Sequence, residues 1–201
     1  TAHQIGTPLS SLIGWLEILK MENVEESTLL EIEKDIIRLQ TITDRFSKIG
    51  SEPVLEKRNI IEDTHKTFDY LQTRVSQQVN FYFKAPKHPV FVEINPALHS
   101  WTIENLVKNA IDAMRGKGNL NIVISELEDR VKISITDTGN GIPKNQFTKV
   151  FEPGFTTKKR GWGLGLSLTK RIVQEYHKGK IKVAYSEIGK GTTMQISYKT
   201  V

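Results

Sequence analysis

The sequence predicts an α+β chain, a helical hairpin followed by a two-layer sandwich of helices on a sheet. Three observations predict it. Apolar residues in the first quarter recur at steps of three and four, short alternating runs take over after a Gly-Ser-Glu-Pro interruption, and those runs are grouped near the end as well as interleaved with helical segments. Grouped strands argue against a doubly wound parallel sheet.

Ile5, Leu9, Leu12, Leu16 and Leu19 advance by 4, 3, 4 and 3, the seam of a coiled-coil-like helix. Met21 to Ser27 breaks the pattern with Asn23 and a cluster of acids. A second seam through Ile32, Ile36, Leu39, Thr43 and Phe46 predicts an antiparallel partner helix. Ile13, Leu29, Ile37, Ile42 and Ile49 widen both stripes beyond what one hairpin buries, so a second copy would complete a four-helix bundle and a homodimer is expected. Gly50-Ser51-Glu52-Pro53 combines a breaker with a residue that cannot continue a helix, which places a hinge between domains 1–50 and 54–201.

Beyond the hinge, strands are expected at Val79 to Phe83, Val90 to Ile94, Leu120 to Leu127, Val131 to Thr136, Lys180 to Tyr185 and Thr193 to Tyr198. Helices are expected at Ile60 to Ser76, Pro96 to Met114 and Leu164 to His177. Glu128-Asp129 reads as a hairpin turn.

The chain has 201 residues, 38% hydrophobic and 8% aromatic, enough for two small domains and too apolar for a disordered chain. Zero cysteines exclude a thiolate nucleophile and Cys-based metal sites and fit a reducing compartment, so the expected setting is the cytoplasm. No run of about 18 uncharged apolar residues is present to span a bilayer. Thr1 in place of an initiating Met suggests a fragment of something longer, compatible with a sensor or membrane anchor upstream. Lys plus Arg (28) exceeds Asp plus Glu (23) only diffusely, which suits phosphate ligands and gives no nucleic-acid footprint.

Several residue groups could carry chemistry. Asn105 and Asn109 lie four apart on one helix face, and an amide oxygen is a neutral hard ligand suited to a Mg²⁺ that phosphate also holds. The plain alternative is two solvated asparagines. Asp137-Thr138-Gly139-Asn140-Gly141-Ile142 follows a strand, where glycines permit close ligand approach; its alternative is a strand-exit turn. Gly161-Trp162-Gly163-Leu164-Gly165-Leu166 opens a helix and offers backbone N–H groups to an anion, but its context fails the dinucleotide fingerprint. Phe151 to Arg160 lies between, with aromatics to anchor a loop and cations to reach phosphates.

The ordered series Asn-x-x-x-Asn-Ala, Asp-x-Gly-x-Gly-Ile, Phe-Glu-Pro-x-Phe-Thr-Thr-Lys, Gly-x-Gly-Leu-Gly-Leu and Gly191-Thr192 resembles the catalytic domain of bacterial sensor histidine kinases. His3-Gln4-Ile5-Gly6-Thr7-Pro8-Leu9 resembles the phospho-acceptor box of the same family. The resemblance implies a Bergerat-type ATP pocket in which Asp137 holds the adenine amino group, Gly139, Gly141 and Ile142 shape the wall, and Thr192 lies nearby. It implies Mg²⁺ on Asn109. Asn105 matches a position where related ATPases carry a water-activating Glu, and an amide cannot accept that proton. Phe151 and Phe155 match the aromatic box that packs the ATP lid, Thr157 and Lys158 follow it, and Gly161, Gly163, Leu164, Gly165 and Leu166 match its end. His3 would be phosphorylated by ATP and pass the group to a receiver-domain aspartate of a response regulator, while Thr7 would position water for dephosphorylation. The competing readings are a degenerate ATP-binding scaffold and another ATPase of the superfamily.

Three departures stand out: Gln4 where the family has Glu or Asp, Trp162 where it has a small Ser or Thr, and Asp112 where many members have Lys or Arg, leaving Lys108 or Arg115 to supply that charge. Gln4 can orient the imidazole and cannot take its proton. Autophosphorylation should therefore be slower than the family norm or use another base, and Gln4→Glu should raise its rate in a single-turnover assay; an unchanged rate contradicts this.

Overall fold

The computed structural model describes residues 2–33, 35–36, 53–75, 77–156 and 165–201, with residues 2–11 described by their backbone alone. The chain divides into two units, Thr1–Pro53 and Val54–Val201.

In the first unit, helix α1 (Ala2–Met21) ends in a turn closed by the Glu22 N–H on the Leu19 carbonyl (3.2 Å), and helix α2 follows at 26–33 and 35–36. Leu16 and Ile36 are buried between them, with Ile13, Leu29 and Ile32 packed alongside. Lys20 reaches Glu17 at 3.0 Å and Glu33 at 3.2 Å, exposed pairs worth little. Leu16, Ile32 and Ile36 of the expected seams are at this contact. Ile13 lies inside, whereas Leu12 of the predicted seam is 46% exposed, together with Trp15, Ile18, Met21 and Leu30. At about 100° per residue, the face that meets α2 and the face carrying positions 12, 15 and 18 are neighbouring stripes of one broad apolar surface. The predicted Leu39, Thr43 and Phe46, the outlying Ile37, Ile42 and Ile49, and Gly50 to Glu52 of the hinge lie outside the described residues.

In the second unit, strands β2 (Val79–Lys84), β4 (Gly118–Glu126), β5 (Arg130–Asp137), β6 (Lys180–Glu187) and β7 (Gly191–Lys199) form a sheet in the order β2-β4-β5-β7-β6. Only β2 and β4 run parallel; the remaining neighbours are antiparallel, as an α+β sandwich requires. Val131, Ile133, Ile135 and Asp137 alternate inward along β5, while Lys132, Ser134 and Thr136 face the other way. Helices α3 (Ile60–Gln72) and α4 (Pro96–Ala113) supply Phe68, Leu71, Ile103, Leu106 and Val107 to the core formed with that inner face. Both are capped by asparagine: Asn59 accepts from the Ile61 N–H (3.2 Å), and Asn95 accepts from the Leu98 N–H (3.1 Å) ahead of Pro96 at the first helical position.

The structure adds a strand, β1 (Glu56–Asn59), paired antiparallel with β3 (Phe91–Ile94) in a separate two-stranded sheet. Its Glu-Lys-Arg-Asn sequence has no apolar alternation, so nothing in the pattern announces it. Helix α3 stops at Gln72 instead of running to Ser76. The third expected helix is α5 (Gly165–Arg171) continued by a π-helical turn, Ile172–Tyr176, in which the His177 N–H bonds the Ile172 carbonyl at 2.9 Å.

The π turn delivers His177 to the core. Its Nε2 accepts the Asn95 N–H at 3.1 Å, so the ring proton is on Nδ1, 3.4 Å from the Tyr198 hydroxyl. His99, fully buried, meets the Thr64 hydroxyl through Nε2 at 2.8 Å. Burial lowers the pKa of His99 to about 3, helped by nearby His177, and that of His177 to about 4. Below the ordinary histidine pKa near 6.5 the unfolded chain then binds more protons than the folded one, so stability falls as pH drops from about 6.5 towards 4. The loss should be on the order of 1 kcal/mol per pH unit for each ring, read as a falling melting temperature between pH 7 and 5; a flat profile contradicts it.

Candidate active site

Asp137 is the last residue of β5, in register with Leu120 of β4 and Thr192 of β7, and it is 6% exposed. Its Oδ1 accepts the Gly139 N–H at 2.8 Å. Burial raises its carboxyl pKa above the ordinary value, while the backbone N–H groups of Gly139 and Thr192 oppose the shift. A buried carboxylate kept at a strand end, with backbone N–H groups as its donors among the described residues, retains capacity to accept from a ligand.

The loop after Asp137 is pressed between two backbones. A Cβ at Gly139 would lie 2.6 Å from the Ala113 carbonyl carbon and oxygen at the end of α4, and the Asn140 N–H donates to that same oxygen at 3.1 Å. Gly141 has φ +79°, and a Cβ there would collide with the Glu187 carbonyl of β6. Ser186 completes the wall: its hydroxyl accepts the Ile142 N–H at 2.7 Å, donates to the Gly191 carbonyl at 3.0 Å and lies 2.8 Å from the Thr192 hydroxyl. Asp137, Gly139, Gly141, Ile142 and Thr192, spread over 56 positions of sequence, are thus one cluster. Ser186 was not singled out by sequence, because one serine in a strand carries no signal.

Asn105 and Asn109 face the same way on α4, both half-buried. Asn105 is not solvated: its Nδ2 donates to the buried Thr169 hydroxyl of α5 at 2.8 Å, and a Cβ on Gly165 would sit 2.7 Å from its Oδ1. Glu104 points elsewhere and holds Lys108 at 2.7 Å, so the charge of Lys108 is already paired. Phe151, on a 3₁₀ turn at Lys149–Phe151, is 7% exposed with the Lys170 ammonium 5.9 Å from its ring centre. Phe155, Ile142 and Leu166 pack half-buried against the core. Thr157, Lys158, Gly161, Trp162, Gly163 and Leu164 lie outside the described residues. His3, Gln4 and Thr7 belong to the other unit, on α1, whose backbone sets His3 and Thr7 one helical turn apart.

The donor set suits a nucleotide-borne cation. Among the described residues no three His, Asp or Glu side chains cluster to hold a metal, whereas two neutral amides share a helix face, a set that fits Mg²⁺ only if phosphate supplies the charge.

Residues 98–200, just over half the chain, match the family model of histidine kinase-, DNA gyrase B- and HSP90-like ATPases. The chain belongs to this family. The matched span begins in α4 and ends with β7, and so contains every described residue of the cluster above. Sporulation kinase E of Bacillus subtilis (strain 168) is 32% identical over 98% of this chain, and sensor histidine kinase ZraS of Escherichia coli (strain K12) is 31% identical over 97%. The chain spans 27% and 43% of the lengths of those two relatives. Among solved structures, the catalytic domain of histidine kinase ThkA matches 72% of this chain and 95% of its own, with TM-score 0.65 and 27% identity. ThkA in complex with the response regulator TrrA shares the fold across 100% of this chain and 60% of its own, with TM-score 0.72 and 24% identity.

Gly141→Ala should cost about 1–3 kcal/mol of stability, from a positive φ and a collision with backbone that cannot move aside, and should weaken nucleotide binding. Thermal melting with titration of a fluorescent ATP analogue checks this; a variant that melts and binds like the parent refutes it.

Proposed function

We propose that this chain is the core of a sensor histidine kinase, which phosphorylates His3 from ATP and passes the phosphoryl group to a response-regulator aspartate. The observation that carries this reading is that the similarity to sporulation kinase E and ZraS runs through the hairpin as well as the α/β unit. A family member acting only as an ATPase needs no such hairpin. Asn105 supports the same choice, since its amide cannot serve as base for water.

Asp137, with the wall formed by Gly139, Gly141, Ile142 and Thr192, would hold the adenine. Asn109 would hold Mg²⁺ and Asn105 would lie near the phosphates. Magnesium bound there would neutralise charge on the transferring phosphoryl group. In the transfer, His3 Nε2 donates its lone pair to the γ-phosphorus, an N–P bond forms, the bond to the β–γ bridging oxygen breaks and ADP leaves. The remaining ring proton goes to water or another base, because Gln4 cannot accept it. The exposed stripe of Leu12, Trp15 and Ile18 on α1 supports a homodimer built on the hairpin. Thr7, one turn from His3, would serve the reverse reaction by positioning water on the phosphorylated regulator.

Incubation with γ-labelled ATP and Mg²⁺ tests the reading. Acid-labile, base-stable label should appear on the parent and vanish in His3→Ala. Nucleotide binding without any label would instead favour a scaffold, to which Gln4, Asp112 and Trp162 would then belong.

A further inference from the structure

Thr169 was not among the residues singled out by sequence, yet it is fully buried and bonded to two parts of the candidate site. Its hydroxyl donates to the Gly165 carbonyl, one helical turn back, at 2.9 Å. A hydroxyl has one proton, so its oxygen can only accept from Asn105, whose Nδ2 lies 2.8 Å away. That order removes the ambiguity of the amide. Were Asn105 turned over, Oδ1 would face an oxygen with no proton left to give. Oδ1 is therefore directed away from Thr169 and lies over Gly165, where the missing Cβ leaves room: a methyl there would come within 2.7 Å of it. Among the described residues no hydrogen bond is made to this Oδ1, and the amide keeps a second N–H.

We propose that Thr169 is a positioning residue for phosphoryl transfer: its hydroxyl, committed to the Gly165 carbonyl, fixes the Asn105 amide in one orientation and so presents its Oδ1 and second N–H to the magnesium triphosphate. This rests on the kinase reading above. It also explains why a threonine occupies the buried side of a short helix where a valine would fill the same volume without a polar group to satisfy. With the hydroxyl gone, nothing on the Thr169 side accepts from Nδ2, so the turned-over amide would predominate, and a bound orientation populated about a tenth of the time would bind about tenfold more weakly.

The test compares Thr169→Val, which keeps the shape and removes the hydroxyl, with Thr169→Ser, which restores it, in the full chain. Without nucleotide, the side-chain ¹⁵N–¹H₂ resonances of Asn105 should shift in Thr169→Val and return in Thr169→Ser. ATP affinity without Mg²⁺ should stay within about twofold, while Mg²⁺-dependent affinity and kcat for His3 labelling fall about tenfold in Thr169→Val and recover in Thr169→Ser. Thr169→Ala serves in place of the valine variant if that one fails to fold. Parent-like kinetics and resonances in Thr169→Val, or equal losses in the valine and serine variants, overturn the positioning role while leaving the kinase reading intact. A parent chain that binds no nucleotide overturns both.

Discussion

At the end of β5 the protein brings three stretches of backbone into direct contact, and the site depends on that contact. Gly139 lies against the last carbonyls of α4, and Gly141 lies against the Glu187 carbonyl of β6. A Cβ at either glycine would lie 2.6 Å or less from backbone of α4 or β6, so the loop could not stay in contact with both. The absence of side chains there lets Asp137 end its strand buried, with the Gly139 N–H on one oxygen and Thr192 beside it. Sheet register does the rest, since Leu120, Asp137 and Thr192 lie in one row across β4, β5 and β7.

A second link joins α4 to α5 through Asn105, Thr169 and Gly165. It is polar where the surrounding contacts are apolar, and hydrogen bonds fix direction where apolar packing fixes only distance. Ile103, Leu106 and Val107 set how deeply α4 sits in the core, and the amide pair sets which way one of its polar side chains is turned. The π turn that follows α5 inserts an extra residue before His177, allowing its imidazole to take the Asn95 N–H at the start of α4. The start and the middle of α4 are thereby tied to the same helical segment.

The hairpin has a different economy. Leu16 and Ile36 are its deeply buried described residues, and a broad stripe including Trp15 at 62% exposure remains uncovered. Two helices have too little surface between them to bury that stripe, whose width is already present in the sequence pattern. The register was less legible: Ile13 is inside and Leu12 outside, because a heptad pattern with two apolar faces does not say which face meets the neighbouring helix of the same chain and which is left over.

The sequence by itself determined the α+β class, every strand of the main sheet and the set of motifs around Asp137, since alternation and glycine spacing are local properties. It missed β1, whose four polar residues pair only because β3 lies beside them, and the end of α5, where a π turn replaces an α turn. It also missed Ser186 and Thr169. Those features were decided by tertiary structure alone. For β1, Ser186 and Thr169 the deciding hydrogen-bond partner lies on another element, so no spacing along the chain encodes it.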